Sequence, residues 1–195
     1  MKAGAAPAAS TSIDQRILDA ADVLFYGQGI QAVGVDAIAT EAGISKRTLY
    51  KHFPSKDQLV AAYLERRTMQ RPKADGDPLE QILAVFDRLE RWFATKEFRG
   101  CPFVNAVSEL SGNRHHPAVV VASEFKAQRR QWFEERLREV RARRPNALAD
   151  QLVILVEGAI AASLVRGGDP GVARSAAAAA RVLLAAAGVK VAAQR

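Results

Sequence analysis

Apolar residues recur three and four positions apart along almost the whole chain, and this spacing restricts the fold to helices. A first stripe contains Ile13, Ile17, Ala21 and Leu24, and a later one extends over residues 79–93. No segment alternates apolar and polar residues as a half-buried strand would. The sequence therefore predicts an all-α protein.

Capping residues indicate where helices begin. Ser12 with Gln15 has the spacing at which a side-chain oxygen and a Gln three residues later satisfy amides of the first helical turn. Asp77 precedes Pro78, a residue favoured at the first helical position. We expect a flexible arm over residues 1–11, an N-terminal helical domain over 12–71 and a longer helical domain over 77–190.

Charge and cysteine content narrow the function classes. The 195 residues include 28 Lys and Arg against 21 Asp and Glu, and the net charge of +7 favours a polyanionic partner such as nucleic acid or an acidic membrane surface. The single cysteine, Cys101, excludes an intramolecular disulfide framework and fits a reducing cytosol. The apolar run Leu152–Val165 is interrupted by Glu157 and is shorter than the roughly 20 residues of a bilayer span. We expect a cytoplasmic protein without membrane segment, cofactor or metal.

Residues 34–53 contain the most specific pattern in the sequence. A short apolar stripe through Val35 and Ile38 leads to Gly43, which can adopt a positive φ, and Ser45 can cap a second short helix. Two short helices joined by such a turn predict a helix-turn-helix. The alternative is a polar helical hairpin in an unrelated α-helical protein.

The second helix of this motif carries cationic and hydroxyl side chains and no acidic residue, which suits insertion into a major groove. Pro54 ends the helix, and the following helix begins near Lys56, where amides and lysine can bind a phosphate. The residues expected to contact DNA are Gly34, Lys46, Arg47, Thr48, Tyr50, Lys51, His52 and Lys56.

The stretch Arg16–Arg67, with ILDAADVLFYGQGI and VDAIATEAGISKRTLYKHFPSKDQL, closely resembles the DNA-binding domain of TetR-type (TetR/AcrR) transcriptional regulators. The resemblance implies a recognition helix over 46–52, with Tyr50 and Lys56 where the family often contacts the DNA backbone. Val33-Gly34 departs from the Thr-Ser or Thr-Thr that many members carry. Gly34 can still cap through its backbone, but the side-chain phosphate contact is lost.

The resemblance also implies that the second domain binds an effector and dimerises. The protein would then be a ligand-responsive repressor that binds a palindromic operator in double-stranded DNA as a homodimer and is released by a small molecule or electrophile. The dimer would use the last two helices, at about 146–166 and 170–188. The alanine-rich last helix has a second interpretation, as an ordinary core helix.

Aromatic residues concentrate in the second domain, where each one is either a core residue or a wall of the effector pocket. The sequence leaves that choice open. The pocket candidates are Trp92, Phe93, Phe98, Cys101, Phe103, Asn105, Phe125 and Trp132.

Three further features have two interpretations each. Cys101 is either a buried apolar residue or a thiolate sensor, favoured by a helix start and by nearby Arg99. His115-His116 forms a solvated turn or helix cap, or contributes metal ligands. The charged stretch 126–144 is a solvent-facing side of a long helix or a second nucleic-acid surface.

Two other functions compete with the regulator. A sequence-indifferent architectural DNA-binding protein would need a broad basic surface. A thiol enzyme using Cys101 would need His115 or His116 as a base, held by a third group that the sequence does not supply. We expect a protein that is not an enzyme.

Overall fold

A computed structural model describes residues 12–69 and 76–191, and all regular structure within these ranges is helical, which confirms the all-α prediction. The predicted arm at 1–11 and most of the predicted boundary at 71–77 lie outside the described residues. The helices found within the described ranges are α1 (Ile13–Gln28), α2 (Val35–Glu41), α3 (Lys46–His52), α4 (Lys56–Met69), α5 (Pro78–Phe93), α6 (Pro102–Glu109), α7 (Pro117–Glu139), α8 (Pro145–Val165) and α9 (Gly171–Ala186).

The first four helices share an apolar centre. Ser12 and Gln15 form the predicted reciprocal cap at the start of α1. The buried face of α1 packs against α2 and α4, and α3 packs against α2. Ile17, Ile38 and Leu49 are fully buried where these helices meet.

The remaining helices continue the same apolar core, which extends without interruption from the first four helices. The Asp77 carboxylate accepts from the Leu79 amide at 2.9 Å and starts α5, whose buried face includes Phe86 and Phe93. α7 packs against α4 on one side and α8 on another, so it joins the two groups of helices. α9 packs against α5 and α8.

The last two helices begin within one residue of the predicted positions, for local reasons. Pro145 rather than Asn146 is the first residue of α8, and Arg144 before it has a left-handed backbone with φ of 50°. In α9, Pro170 is the N-cap, and the Asp169 carboxylate accepts from the Gly171 amide of the first turn at 2.8 Å.

Candidate DNA-binding surface and effector cavity

A tight turn joins α2 to α3 and sets the geometry of the helix-turn-helix. Gly43 has a φ of 64° in this turn, and the Ile44 amide donates to the Ala39 carbonyl at 2.9 Å. The Arg16 guanidinium of α1 donates to the carbonyls of Ala42 and Gly43. Arg16 therefore holds the turn against α1, a role that the sequence pattern did not indicate.

The two faces of α3 have different environments. Ser45 caps the helix by accepting from the Thr48 amide at 3.0 Å, and Leu49 is fully buried. On the opposite faces, Tyr50 is 40% exposed and most of the other predicted DNA contacts are also exposed. The exposed members of this set are Gly34, Lys46, Arg47, Tyr50, Lys51 and His52, while Thr48 and Lys56 are partly exposed.

The fold brings carboxylates to two of these side chains, although α3 itself contains no acidic residue. The Asp36 carboxylate lies 2.9 Å from the Lys46 ammonium, and hydrogen bonding to it raises the pKa of Lys46. The His52 Nδ1 atom lies 2.5 Å from the Asp14 carboxylate. Among the described residues, Arg47, Lys51 and Lys56 form no ion pair, so these three cations are available to phosphates.

Val33 and Gly34, where the sequence departs from the family that it resembles, have different environments. Val33 is buried in the core, where an apolar side chain is favoured, and Gly34 is the backbone N-cap of α2 without a side-chain hydrogen bond. At the start of α4, the Ser55 hydroxyl accepts from the Gln58 amide at 3.1 Å, and Lys56 lies in the first turn.

A cavity of about 380 Å³ lies among α4, α5, α6, α7 and α8. The predicted residues that line it are Trp92, Cys101, Phe103, Phe125 and Trp132, and the Phe103 and Phe125 rings stack 3.7 Å apart. The other lining residues are Arg67, Val85, Arg88, Leu89, Pro102, Arg129, Phe133 and Ile160. Of these, only Phe133 belongs to the aromatic residues that the sequence left open between core and cavity wall.

Three predicted pocket residues lie outside this lining. Phe93 and Phe98 are buried core residues whose rings contact each other at 4.9 Å. Asn105 donates from its side chain to the Arg99 carbonyl at 2.8 Å, and so holds the segment that precedes α6. All three stabilise the cavity region without facing the cavity.

Most charges of the stretch 126–144 lie on a solvent-facing side, as predicted, with ion pairs such as Arg138–Glu134 and Arg136–Glu139 along α7, but two of its cations do not. Arg129 lines the cavity, and the Lys126 ammonium donates to the Cys101 thiol at 3.3 Å and to the Glu157 carboxylate at 2.6 Å. Lys126 and Arg129 therefore lie on the side of α7 that faces the interior. The sequence does carry a sign that Arg88 faces inward, because Arg88 lies on one helical face with the apolar residues Val85 and Trp92.

Cys101 is buried, with 7% of its surface exposed. Its sulfur lies next to a cation that the sequence did not suggest, Lys126. The predicted cation, Arg99, directs its guanidinium to the backbone carbonyls of Lys96 and Phe98. The thiol therefore lies at the cavity wall next to Lys126.

His115-His116 acts as a helix cap, one of the two predicted interpretations. The His116 ring accepts from the Ala118 amide at 3.1 Å and lies 3.2 Å from the Asp57 carboxylate of α4. His116 is buried, while His115 is exposed. Over residues 12–69 and 76–191 no group of metal-ligating side chains converges, and no Cys–His hydrogen bond of the kind required by the thiol-enzyme hypothesis is found.

Side chains of α1 and α4 connect the first four helices to the cavity region. Arg67 forms a two-pronged ion pair with Asp22, at 2.6 and 2.9 Å, and its guanidinium lies over the Tyr26 ring. The Tyr26 hydroxyl donates to the Gly100 carbonyl and accepts from the Arg99 amide. Burial raises the pKa of this hydroxyl, so it stays protonated as the donor.

Among the described helices, α8 alone is long and apolar enough to cross a membrane by length and composition. A core helix of a soluble protein meets the same criteria. Part of the α8 surface is buried here against α7 and α9, while Ile154 remains 68% exposed and Val165 88% exposed.

Comparison with known proteins agrees with the geometry. A model of the bacterial regulatory proteins of the tetR family matches residues 17–63, which cover most of α1 to α4. A solved structure described as a TetR transcriptional regulator, sav143 from Streptomyces avermitilis, is 35% identical, covers 92% of this chain and 100% of its own, and superimposes with a TM-score of 0.80.

Two curated relatives are named as regulators of transcription. The regulator LmrA of Bacillus subtilis is 29% identical over 161 residues, which are 77% of this chain and 85% of LmrA. The repressor KstR of Mycolicibacterium smegmatis is 29% identical over 122 residues, 57% of this chain and 60% of KstR. With a helix-turn-helix in place and a full-length relative above 30% identity, this chain belongs to the TetR family of bacterial transcriptional regulators.

Proposed function

We propose that this regulator is a cytoplasmic, ligand-responsive repressor that binds a palindromic operator as a homodimer. Residues 12–71 would form the DNA-binding domain, and residues 77–190 the effector-binding and dimerisation domain. Its relative KstR is named as a repressor, which supports this sign of regulation.

The observation that carries the proposal is the exposed side of α3. Its unpaired cations Arg47 and Lys51 lie beside Tyr50, while Leu49 anchors the helix from below. Residues on a helix held in this way can reach base edges and phosphates together. Gly34, Lys46, Thr48, His52 and Lys56 complete the proposed DNA contacts.

Exposed apolar side chains on α8 and α9 support the proposed dimer. Ile154, Gly158, Ala161 and Val165 lie on one exposed side of α8, and Val182 on α9 is 68% exposed. A face of small and apolar residues of this kind favours burial against a second copy. A two-fold dimer would present its recognition helices to half-sites about 34–36 Å apart or a multiple of that distance.

The contacts between cavity and DNA-binding helices support a response to ligand. α6 begins with cavity residues Pro102 and Phe103 and ends at Glu109, whose carboxylate accepts from the Gln31 amide at 2.8 Å just before α2. Arg67 belongs to α4 and lines the same cavity. A ligand that prefers one arrangement of these helices would shift the population between operator-bound and released states.

The direct test selects DNA fragments from the source genome with the full-length protein and measures the mass of the complex. We expect one enriched palindrome, two chains per site, and reduced expression of a reporter placed behind that site. Enrichment without sequence preference would favour an architectural DNA-binding protein. A single chain on one half-site would contradict the dimer.

A further inference from the structure

The cavity contains positive charge that its neighbours do not neutralise. Among the described residues, the guanidinium groups of Arg67, Arg88 and Arg129 line it and no carboxylate does. Asp22 neutralises Arg67 through its two-pronged contact. Over the described parts of the chain, Arg88 and Arg129 form no ion pair, so two cations are left facing the same space.

The two unpaired cations come from different helices and affect each other. Burial, followed by the charges of Arg129 and Arg91, lowers the pKa of Arg88 from its usual range. Arg129 also lies over the Phe125 ring, 5.2 Å from its centre. Two like charges beside a partly buried cavity repel each other, and the attraction of an anion bound between them would offset that repulsion.

The other walls favour a flat apolar body. The stacked rings of Phe103 and Phe125 face the space together with Trp92 and Trp132. The volume of about 380 Å³ falls in the range of small-molecule sites and exceeds what an inorganic anion fills. Lys126, near the Cys101 end, is neutralised by Glu157 at 2.6 Å and adds no further unpaired cation.

We propose that the effector is an organic anion with an aromatic body, whose negatively charged group binds between Arg88 and Arg129. This inference rests on the proposed ligand response and names the class of its ligand. An organic cation would be repelled by both guanidinium groups, and a neutral aromatic molecule would leave them without a counter-charge.

A matched pair of fluorescent probes tests the inference on the full-length protein. 1-Anilinonaphthalene-8-sulfonate and N-phenyl-1-naphthylamine share one aromatic skeleton, and only the first carries a sulfonate. Because charge-assisted hydrogen bonds contribute most to anion binding, we expect the sulfonate to bind at least about 10-fold more tightly than the neutral probe. Equal affinities would overturn the inference.

Three variants test whether the sulfonate probe binds in the cavity. Arg88→Met and Arg129→Met keep an unbranched apolar stem and remove the charge. Each should weaken sulfonate binding at least about 10-fold while leaving the affinity for the neutral probe unchanged. Arg114→Met removes an exposed charge outside the cavity lining and should change neither affinity. Sulfonate binding that is insensitive to both cavity variants would place the probe elsewhere, for example on the exposed α8–α9 face, and would overturn the inference.

Operator release separates this inference from the function on which it rests. If the sulfonate binds between the two arginines but never releases operator DNA, the anion site stands and the ligand-response proposal fails. If the neutral probe releases operator DNA as well as the sulfonate does, the ligand response stands and the anionic class is wrong.

Discussion

The protein holds arginine and lysine side chains in two contrasting settings, the exposed side of α3 and the wall of the cavity. On α3, Arg47 and Lys51 face solvent from a helix anchored by Leu49. In the cavity, Arg88 and Arg129 are half-buried among aromatic rings. Solvent screens the first pair, and the low-dielectric surroundings strengthen the field of the second. Placement therefore suits one set to a DNA backbone and the other to a small anion.

The largest expected effect tests whether α3 has separate structural and DNA-facing sides. Leu49→Ala should lower the free energy of unfolding by about 2–5 kcal/mol, since Leu49 is fully buried and truncation leaves a void. Chemical denaturation measures the loss. Lys51→Ala is the matched control on the exposed side and should leave stability nearly unchanged. Equal losses of stability in both variants would show that α3 does not have separate structural and DNA-facing sides.

The next largest effect concerns the contact of Arg67, a cavity residue of α4, with α1. Arg67→Met should lower the free energy of unfolding by about 1–3 kcal/mol, because Asp22 loses its partner in a partly buried site and Tyr26 loses its stacked guanidinium. Arg67→Lys keeps the charge but not the two-pronged geometry, and we expect an intermediate loss. Denaturation curves that coincide for wild type and Arg67→Met would show that this ion pair does not stabilise the packing of α4 against α1.

Tyr50 tests the exposed side of α3 without changing its charge. Tyr50→Ala should weaken operator binding about 10-fold, or roughly 1.4 kcal/mol, through loss of one DNA contact. Fluorescence anisotropy with labelled operator measures the change, and the melting temperature serves as the control for folding. An affinity equal to that of wild type would place the recognition surface elsewhere.

The smallest expected effect comes from the Lys46–Asp36 pair. Asp36→Ala removes the carboxylate 2.9 Å from the Lys46 ammonium and should strengthen DNA binding by less than about 10-fold, because Lys46 becomes available to phosphate. Lys46→Ala should act in the opposite direction. Weaker binding by Asp36→Ala would show that the pair orients Lys46 instead of competing with DNA.

The two settings also differ in how far the sequence predicts them. The helix-turn-helix is built from consecutive residues, so Gly43, Ser45 and the polar side of α3 can be recognised from local spacing. The ion partners of α3 come from other helices, Asp36 from α2 of the same motif and Asp14 from α1, and the spacing within α3 predicts neither pairing. Fold class and helix starts follow from the same local rules.

The cavity is assembled from five helices, which is why the sequence predicted its aromatic residues and Cys101 only in part and none of its cations. Phe93 and Phe98 have the same composition signal as Trp92, but the direction of each helix face decides which of them borders the cavity. Arg129 lies in a run of charges that is typical of a solvent-facing side, and the packing of α7 against α4, α5 and α8 turns it inward. Neither outcome can be read from neighbours in the sequence.

The salt dependence of operator binding tests the central contrast most directly. Each phosphate contact contributes about one unit to the slope of log affinity against log salt concentration. Lys51→Ala should therefore reduce the magnitude of that slope by about 1, while Arg88→Met should leave it at the wild-type value. A reduced slope for Arg88→Met, or an unchanged slope for Lys51→Ala, would contradict the assignment of the α3 cations to DNA and of the cavity cations to a ligand.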